Sequence, residues 1–192
     1  MNFNLIISTG SKYEDQAEAE LWFNFLGLDQ ENALIYESNV PGLVLAEVSI
    51  EPRKVISYFK GAEEKQDEFQ AQITPFNKNS RESQDNYVQF VKKIIPIDTV
   101  VPSEKDKIIQ AARKLVKNTK ICKEPETTFR ITMRKRNTNL KTKDLIPPIA
   151  DNIPNKVDLQ DFDWNIQIEV IGNKTGIAIL EKDDIFEPLT KD

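Results

Sequence analysis

The sequence predicts an α+β protein of two small domains, and three observations point that way. Residues 1–97 read as strand–helix–strand–strand–helix–strand, interrupted by a polar stretch over 61–86. Residues 98–185 read as a second series of helices and strands. Within that second series, one strand places three arginines on a single face. A chain of 192 residues is long enough for two domains that each bury a core.

Phe3 to Ser8 is a short apolar run of β propensity, ended by Thr9-Gly10-Ser11, a turn and helix N-cap. Ala17, Leu21, Trp22, Phe25 and Leu26 recur at helical spacing, so residues 12–26 form an amphipathic helix stopped by Gly27. Ala33 to Glu37 and Gly42 to Val48 are two strands joined by a turn at Asn39-Val40-Pro41-Gly42. Pro52 suits the first turn of a helix with Val55, Ile56 and Phe59 as its inward stripe. Tyr87 to Ile97 is a further strand, ending near Pro96. This element order is the ferredoxin-like pattern. Residues 61–86 are rich in Glu, Gln, Asp, Lys, Ser and Asn, bury little, and are expected to be a long mobile insertion in which Ile73-Thr74-Pro75-Phe76 docks locally.

Ser103-Glu104-Lys105-Asp106 has the form of a capping box with Asp in place of Glu. Ile108, Ile109, Ala112, Leu115 and Val116 then supply one apolar helix face. Lys107, Arg113, Lys114, Lys117 and Lys120 take the rest of that helix and its C-terminal end, where the dipole favours one or two cations but does not call for five. Thr127 to Arg136 alternates strictly: Phe129, Ile131 and Met133 point one way, and Thr128, Arg130, Thr132, Arg134 and Arg136 the other. Leu145, Ile146 and Ile149 belong to another helix, kinked or delayed by Pro147-Pro148. Trp164 to Ile171 and Thr175 to Leu180 are strands joined by a tight turn at Gly172-Asn173-Lys174, with Gly176 permitting close backbone approach or a bulge.

The charge is unevenly spread. Residues 101–143 hold thirteen basic and four acidic residues, a net of +9, whereas residues 1–100 and 144–192 each sum to −7. A basic island between acidic flanks points to a polyanion, because binding responds to the field within a Debye length and not to the total charge of −5. Three arginines on one strand face repel one another unless an anion neutralises them. Glu124 and Glu126, just upstream, are too few to do so. The fork of donors on each guanidinium suits phosphate. The plainer alternatives, a solvated lysine-rich helix face and internal ion pairing, remain open at this point.

Zero histidines remove the usual general base, Cys/His zinc sites and any Ser-His-Asp triad. Cys122, the single cysteine, excludes an internal disulfide and has no histidine to activate it, so it reads as a half-buried small hydrophobe. There is no GxGxxG, GxxxxGK[ST] or CxxC motif. No catalytic, cofactor-binding or metal-ligating residue is assigned. The start of the chain lacks a basic n-region, and no run approaches eighteen apolar residues, so a cytoplasmic protein with no membrane contact is expected.

Thr128-Phe129-Arg130-Ile131-Thr132-Met133-Arg134-Lys135-Arg136, then Lys156-Val157-Asp158-Leu159, Asp163-Trp164-Asn165-Ile166-Gln167-Ile168-Glu169-Val170 and Gly176-Ile177-Ala178-Ile179, together resemble the THUMP domain, an RNA-binding module of tRNA-modifying enzymes. The resemblance covers roughly residues 98–185 and departs from the pattern at Pro147-Pro148. It implies a ferredoxin-like domain over 1–97, an α/β THUMP domain with a mixed sheet over 98–185, and a tail over 186–192. It also implies a basic concave surface for the acceptor end of tRNA, including the CCA. Because the chain ends about where THUMP ends, it resembles the stand-alone type, which presents tRNA to a separate RNA acetyltransferase for N4-acetylcytidine formation.

The expected RNA-binding residues are Arg113, Lys114, Lys117, Asn118 and Lys120 around the helix, Arg130, Arg134, Lys135 and Arg136 on the strand, and Asn137, Lys141 and Lys143 after it. Alternatives are a subunit of another tRNA-modifying enzyme, an enzyme acting on tRNA by itself, and a protein–protein scaffold without RNA contact. The scaffold draws on the acidic flanks and on Gly61–Asn86.

Overall fold

A computed structural model describes residues 2–61 and 88–188 of the chain. The expected insertion, from residue 62 to 86, and its Ile73–Phe76 segment lie outside the described residues. The chain divides into two compact units. One runs from Leu5 to Ile95 and takes in the C-terminal segment from Phe186; the other comprises Pro96–Ile185 with the residues up to Asn4.

In the first unit the elements are β1 (Leu5–Ser8), α1 (Glu14–Leu26), β2 (Leu34–Glu37), β3 (Leu43–Glu47), α2 (52–61) and β4 (Lys93–Pro96). The sheet order is β2-β3-β1-β4. β3 runs antiparallel to both β1 and β2. The Lys92 N–H donates to Ser8 O and the Ile97 N–H to Asn4 O, so one index rises as the other falls and β4 is antiparallel to β1 as well. Two strand–helix–strand crossings interleaved in this order are the ferredoxin-like topology. Leu5, Ile7, Val44 and Ala46 of the sheet pack against Ala17, Leu21 and Phe25 of α1 and against Val55, Ile56 and Phe59 of α2. Burial of each such large side chain is worth about 1.5–3 kcal/mol.

Four expectations change here. The buried stripe of α1 is Ala17, Leu21, Asn24 and Phe25. Trp22 points about 100° away from Leu21 and is 56% exposed. No side chain caps α1, whose N-cap position is held by Tyr13. Among the described residues of the strand expected over Tyr87 to Ile97, only Lys93–Pro96 is strand, because the Gln89, Phe90 and Val91 N–H groups donate to the Glu20 carboxylate instead of to a neighbouring strand. Phe186, in the expected tail, is fully buried beside Phe59 and pairs with Ile94 through the backbone.

The second unit contains β5 (Thr99–Pro102), α3 (Lys105–Asn118), β6 (Thr128–Arg136), α4 (Ile146–Ala150), β7 (Lys156–Val157), β8 (Trp164–Ile171) and β9 (Lys174–Leu180). Its sheet is mixed, in the order β5-β9-β8-β6-β7. β6 is parallel to β8 and β7, and β9 is antiparallel to β8 and β5. One core joins Ile108, Ile109, Ala112 and Val116 of α3, Ile149 of α4, Phe129 of β6, Ile166, Ile168 and Val170 of β8, and Ile177 and Ile179 of β9. The α+β class and the mixed sheet are as the sequence predicts.

β5 and β7 go unforeseen, being four and two residues long. α3 begins at Lys105 with no side-chain cap, so the capping box does not form. Pro147 and Pro148 sit in the first turn of α4, where the N–H they lack has no intrahelical partner to lose. Gly176 meets the close approach expected of it: a Cβ there would lie 3.1 Å from both Phe3 and Ile97 side chains.

Candidate nucleic-acid interface

β6 places its residues on two faces with opposite duties. Phe129 is buried in the core under α3 and α4, with Ile131 and Met133 packed against that core. Arg130, Thr132, Arg134 and Arg136 therefore lie on the face of the sheet away from α3. On the same face β8 presents Asn165, Gln167 and Glu169, all buried.

These side chains form a continuous hydrogen-bonded row. Thr132 Oγ1 donates to Asn165 Oδ1 at 2.8 Å, and Arg130 Nε reaches the same oxygen at 3.4 Å. Asn165 Nδ2 donates to Gln167 Oε1 at 2.9 Å, and Gln167 Nε2 donates to Glu169 Oε1. Arg136 closes the row, its guanidinium 2.6 Å from Glu169 Oε2. Glu169 is entirely buried, and Arg136 is the cation that faces it. Arg130 stacks over the Phe162 ring at 3.7 Å.

The expectation of three mutually repelling arginines is corrected for one of them, Arg136. The neutralising carboxylate is Glu169, delivered by the parallel β6–β8 register, not Glu124 or Glu126. Arg134 is exposed, and its side chain has no hydrogen-bond or ion-pair partner among the described residues.

The helix cations form a separate set. Arg113 donates from Nε and Nη2 to the Pro148 carbonyl at 3.2 and 2.7 Å, clasping α3 to α4. Lys114, Lys117, Asn118 and Lys120 are exposed, and their side chains have no such partner among the described residues. Lys120 lines an open cleft with Thr127, Phe162, Asp163 and Trp164, which places it at the start of β6 and β8.

Beyond the other end of β6, Lys135 Nζ donates to Leu140 O at 2.9 Å. Asn137 turns the chain with φ of 53°, a left-handed conformation that asparagine tolerates. Lys141 and Lys143 follow, exposed, at the 3-10 turn Thr142–Asp144. From Thr128 to Arg134 is on the order of 20 Å at ~3.3 Å per residue. The expected RNA-binding residues of helix and strand therefore do not lie on one face of the sheet. Lys117 and Lys120 lie near one end of β6 on the helix side, while Arg134 lies near the other end on the opposite face.

Around this surface, acidic side chains are tied to the backbone. Asp158 accepts the Gln160 and Asp161 N–H groups at 2.9 Å, and Asp163 accepts the Thr128 N–H at 2.7 Å and its hydroxyl at 2.9 Å. Asp161 and Gln160 N–H groups hold Asp158, and the Thr128 N–H and hydroxyl hold Asp163, below the ordinary carboxylate range. Lys182 sits 2.7 Å from Asp161, and that hydrogen bond raises its pKa. Sequence reading missed Phe162, Glu169 and Lys182. For Glu169 the alternation of β8, with Asn165 and Gln167 on the same row, reads as a solvated face, and only the register with β6 brings it to a cation. Among the described residues no group of acidic, Cys or His side chains has the arrangement to hold a metal ion, and no helix is long and apolar enough to cross a membrane.

Residues 102–180 match the THUMP domain family, so the second unit contains a THUMP domain. No curated protein sequence matches the chain. Among solved structures, PH1313 from Pyrococcus horikoshii Ot3 is similar at a TM-score of 0.61 and 17% identity, over 97% of this chain and 55% of that one. A 4-thiouridine synthetase, solved as an RNA complex with bound ATP, is similar at 0.56 and 14% identity, over 97% and 42%. TrmN from Thermus thermophilus is similar at 0.55 and 10% identity, over 91% and 44%. At these identities the likeness is one of fold. The chain spans about half the length of these structures, or less.

Proposed function

We propose that the chain is a non-catalytic tRNA-binding protein of the cytoplasm that presents the acceptor/CCA end of tRNA to a separate RNA cytidine acetyltransferase. The observation that carries RNA binding is a set of exposed cations, Lys114, Lys117, Lys120, Arg134, Lys141 and Lys143, that the described residues leave without ion-pair partners inside a THUMP domain. An acidic protein that keeps such a set unneutralised carries a standing repulsion, which a polyanion removes. The RNA complex of the similarly folded 4-thiouridine synthetase supports the same reading. The finer step, an adaptor for N4-acetylcytidine formation, is carried by the family resemblance and not by the chemistry of any residue.

Two measurements test it. Affinity for tRNA is compared with and without the 3′ CCA; loss of the CCA weakens binding at least tenfold if the acceptor end is held, and equal affinities reject that end. Acetylation of cytidine is then followed with the chain alone, the acetyltransferase alone, and both. Product only with both supports the adaptor. Product from the chain and acetyl donor alone overturns the non-catalytic assignment.

A further inference from the structure

We infer that the outward face of α1, around Trp22 and Phe23, is the surface through which this chain docks on its protein partner, and that the partner brings a segment of basic and apolar side chains to it. The inference rests on the adaptor reading above and adds to it the face that meets the enzyme.

A surface helix ordinarily sets polar residues opposite its buried stripe. α1 does not. With Ala17, Leu21, Asn24 and Phe25 turned inward, Asp15, Ala19, Trp22 and Leu26 fall within about 60° of one another on the outer side, at ~100° per residue. Trp22 is 56% and Phe23 44% exposed, and Ala19 between them is exposed as well. About half of two aromatic side chains left in water amounts to on the order of 200 Å² of ring surface on one helix face. Aromatic rings are the usual centres of protein interfaces, because they bury much area with few rotatable bonds.

The surroundings set the charge of the partner. Residues 12–37 hold seven acidic residues against one lysine, Lys12, a net of −6. Two of the acids are taken: Glu14 accepts the Gly42 N–H, and Glu20 accepts the N–H groups of Gln89, Phe90 and Val91. The carboxylates of Asp15, Glu18 and Glu37 have no hydrogen-bond or ion-pair partner among the described residues. Glu18 stands one turn before Trp22 with its Oε1 buried, and burial, then Glu37 and Asp15, raise its pKa. A buried carboxylate oxygen without a donor is costly, and a lysine or arginine delivered beside Trp22 removes that cost. Asp15 and Glu37 also line an open cleft of about 470 Å³ with Lys12, Glu14 and Pro41, which has room for a long basic side chain. The same charge turns RNA away, so this face and the cations of the second unit serve different partners.

The test measures binding of the full chain to the purified acetyltransferase of the proposed function, beside its binding to tRNA. Trp22→Ala with Phe23→Ala is expected to weaken the enzyme complex by about 30-fold or more, the loss for an interface hot spot, and to leave tRNA affinity and Tm as in the parent. Asp15→Lys with Glu37→Lys leaves the rings in place; it is expected to slow association with the enzyme and to flatten its dependence on salt. Acrylamide quenching, taken as the difference between the parent and Trp22→Phe, reports the indole itself, which is expected to be open in the free chain and shielded in the complex.

Enzyme binding that neither pair of substitutions alters would overturn the face and leave the adaptor standing. No enzyme binding, with tRNA still bound, would overturn the adaptor reading and this inference with it. Trp22 already shielded in the free chain would give the face to another part of the same chain or, where shielding rises with protein concentration, to a second copy.

Discussion

Replacing Arg136 and replacing Arg134, two residues apart on one strand face, should give opposite phenotypes. Arg136 is the counter-charge of Glu169, whose carboxylate is wholly buried, whereas the Arg136 side chain keeps 21% of its surface. Removing one partner of a buried pair costs about 3–5 kcal/mol, because the other charge stays desolvated. Partial exposure of Arg136 and the remaining Gln167 donor put Arg136→Ala at the low end, about 3 kcal/mol. At ~4–8 °C per kcal/mol for a unit of fewer than a hundred residues, Tm of the THUMP unit falls by roughly 12–24 °C.

Arg134→Ala removes an exposed side chain and changes stability by less than about 0.5 kcal/mol. It should instead weaken tRNA binding by about 1.5–3 kcal/mol, the value of a hydrogen bond to a charged group. Thermal melts and filter binding at one salt concentration measure both effects. The double replacement Arg136→Met with Glu169→Leu should recover most of the lost stability, since an apolar pair of similar volume needs no counter-charge. The reasoning fails if Arg136→Ala melts like the parent and loses as much RNA affinity as Arg134→Ala.

Three further outcomes follow from the same geometry. Gly176→Val forces a side chain against Phe3 and Ile97 at 3.1 Å and should cost about 1–3 kcal/mol, read as a lower denaturation midpoint with an unchanged m-value. Asp163 is held below its ordinary pKa by the Thr128 N–H, so its stabilisation is present above the unfolded value, near pH 4, and is lost as pH falls through the lowered one. Asp163→Asn should therefore lower Tm at pH 7 and converge with the parent in acid, and a constant difference across pH 2–7 would contradict this. Reversing Lys114, Lys117 and Lys120 together to Glu should reduce the salt slope of tRNA binding by about 2.7, at ~0.9 per phosphate contact, without altering Tm by more than a few degrees.

Much of the architecture is legible in local pattern. The α3 stripe, the alternation of β6 and the β8–β9 hairpin are all encoded within single segments, and the interleaved order of the first unit follows from element succession. β7 escapes because a run of two residues carries no measurable period. Trp22 misleads because it is apolar, although at ~100° per residue it stands about 140° from Ala17, while polar Asn24, seven residues on from Ala17, falls on the inward stripe.

The interface was legible in composition and not in arrangement. Alternation places Arg130, Arg134 and Arg136 together, but which strand lies alongside is a non-local fact. The parallel β6–β8 register is what brings Glu169 to Arg136. One step was open to deduction: an apolar helix face must cover the Phe129, Ile131 and Met133 side of β6, which sends the arginines to the other side. Lysine helix and arginine strand thus never shared a groove wall.

The most direct test of the account is the dependence of tRNA affinity on salt. Five neutralised phosphates give a log–log slope of about −3.5 to −4.5. A slope in that range, lowered by reversal of Lys114, Lys117 and Lys120, is the predicted result. A slope near zero, or one that those reversals leave untouched, would contradict the claim that these cations hold RNA.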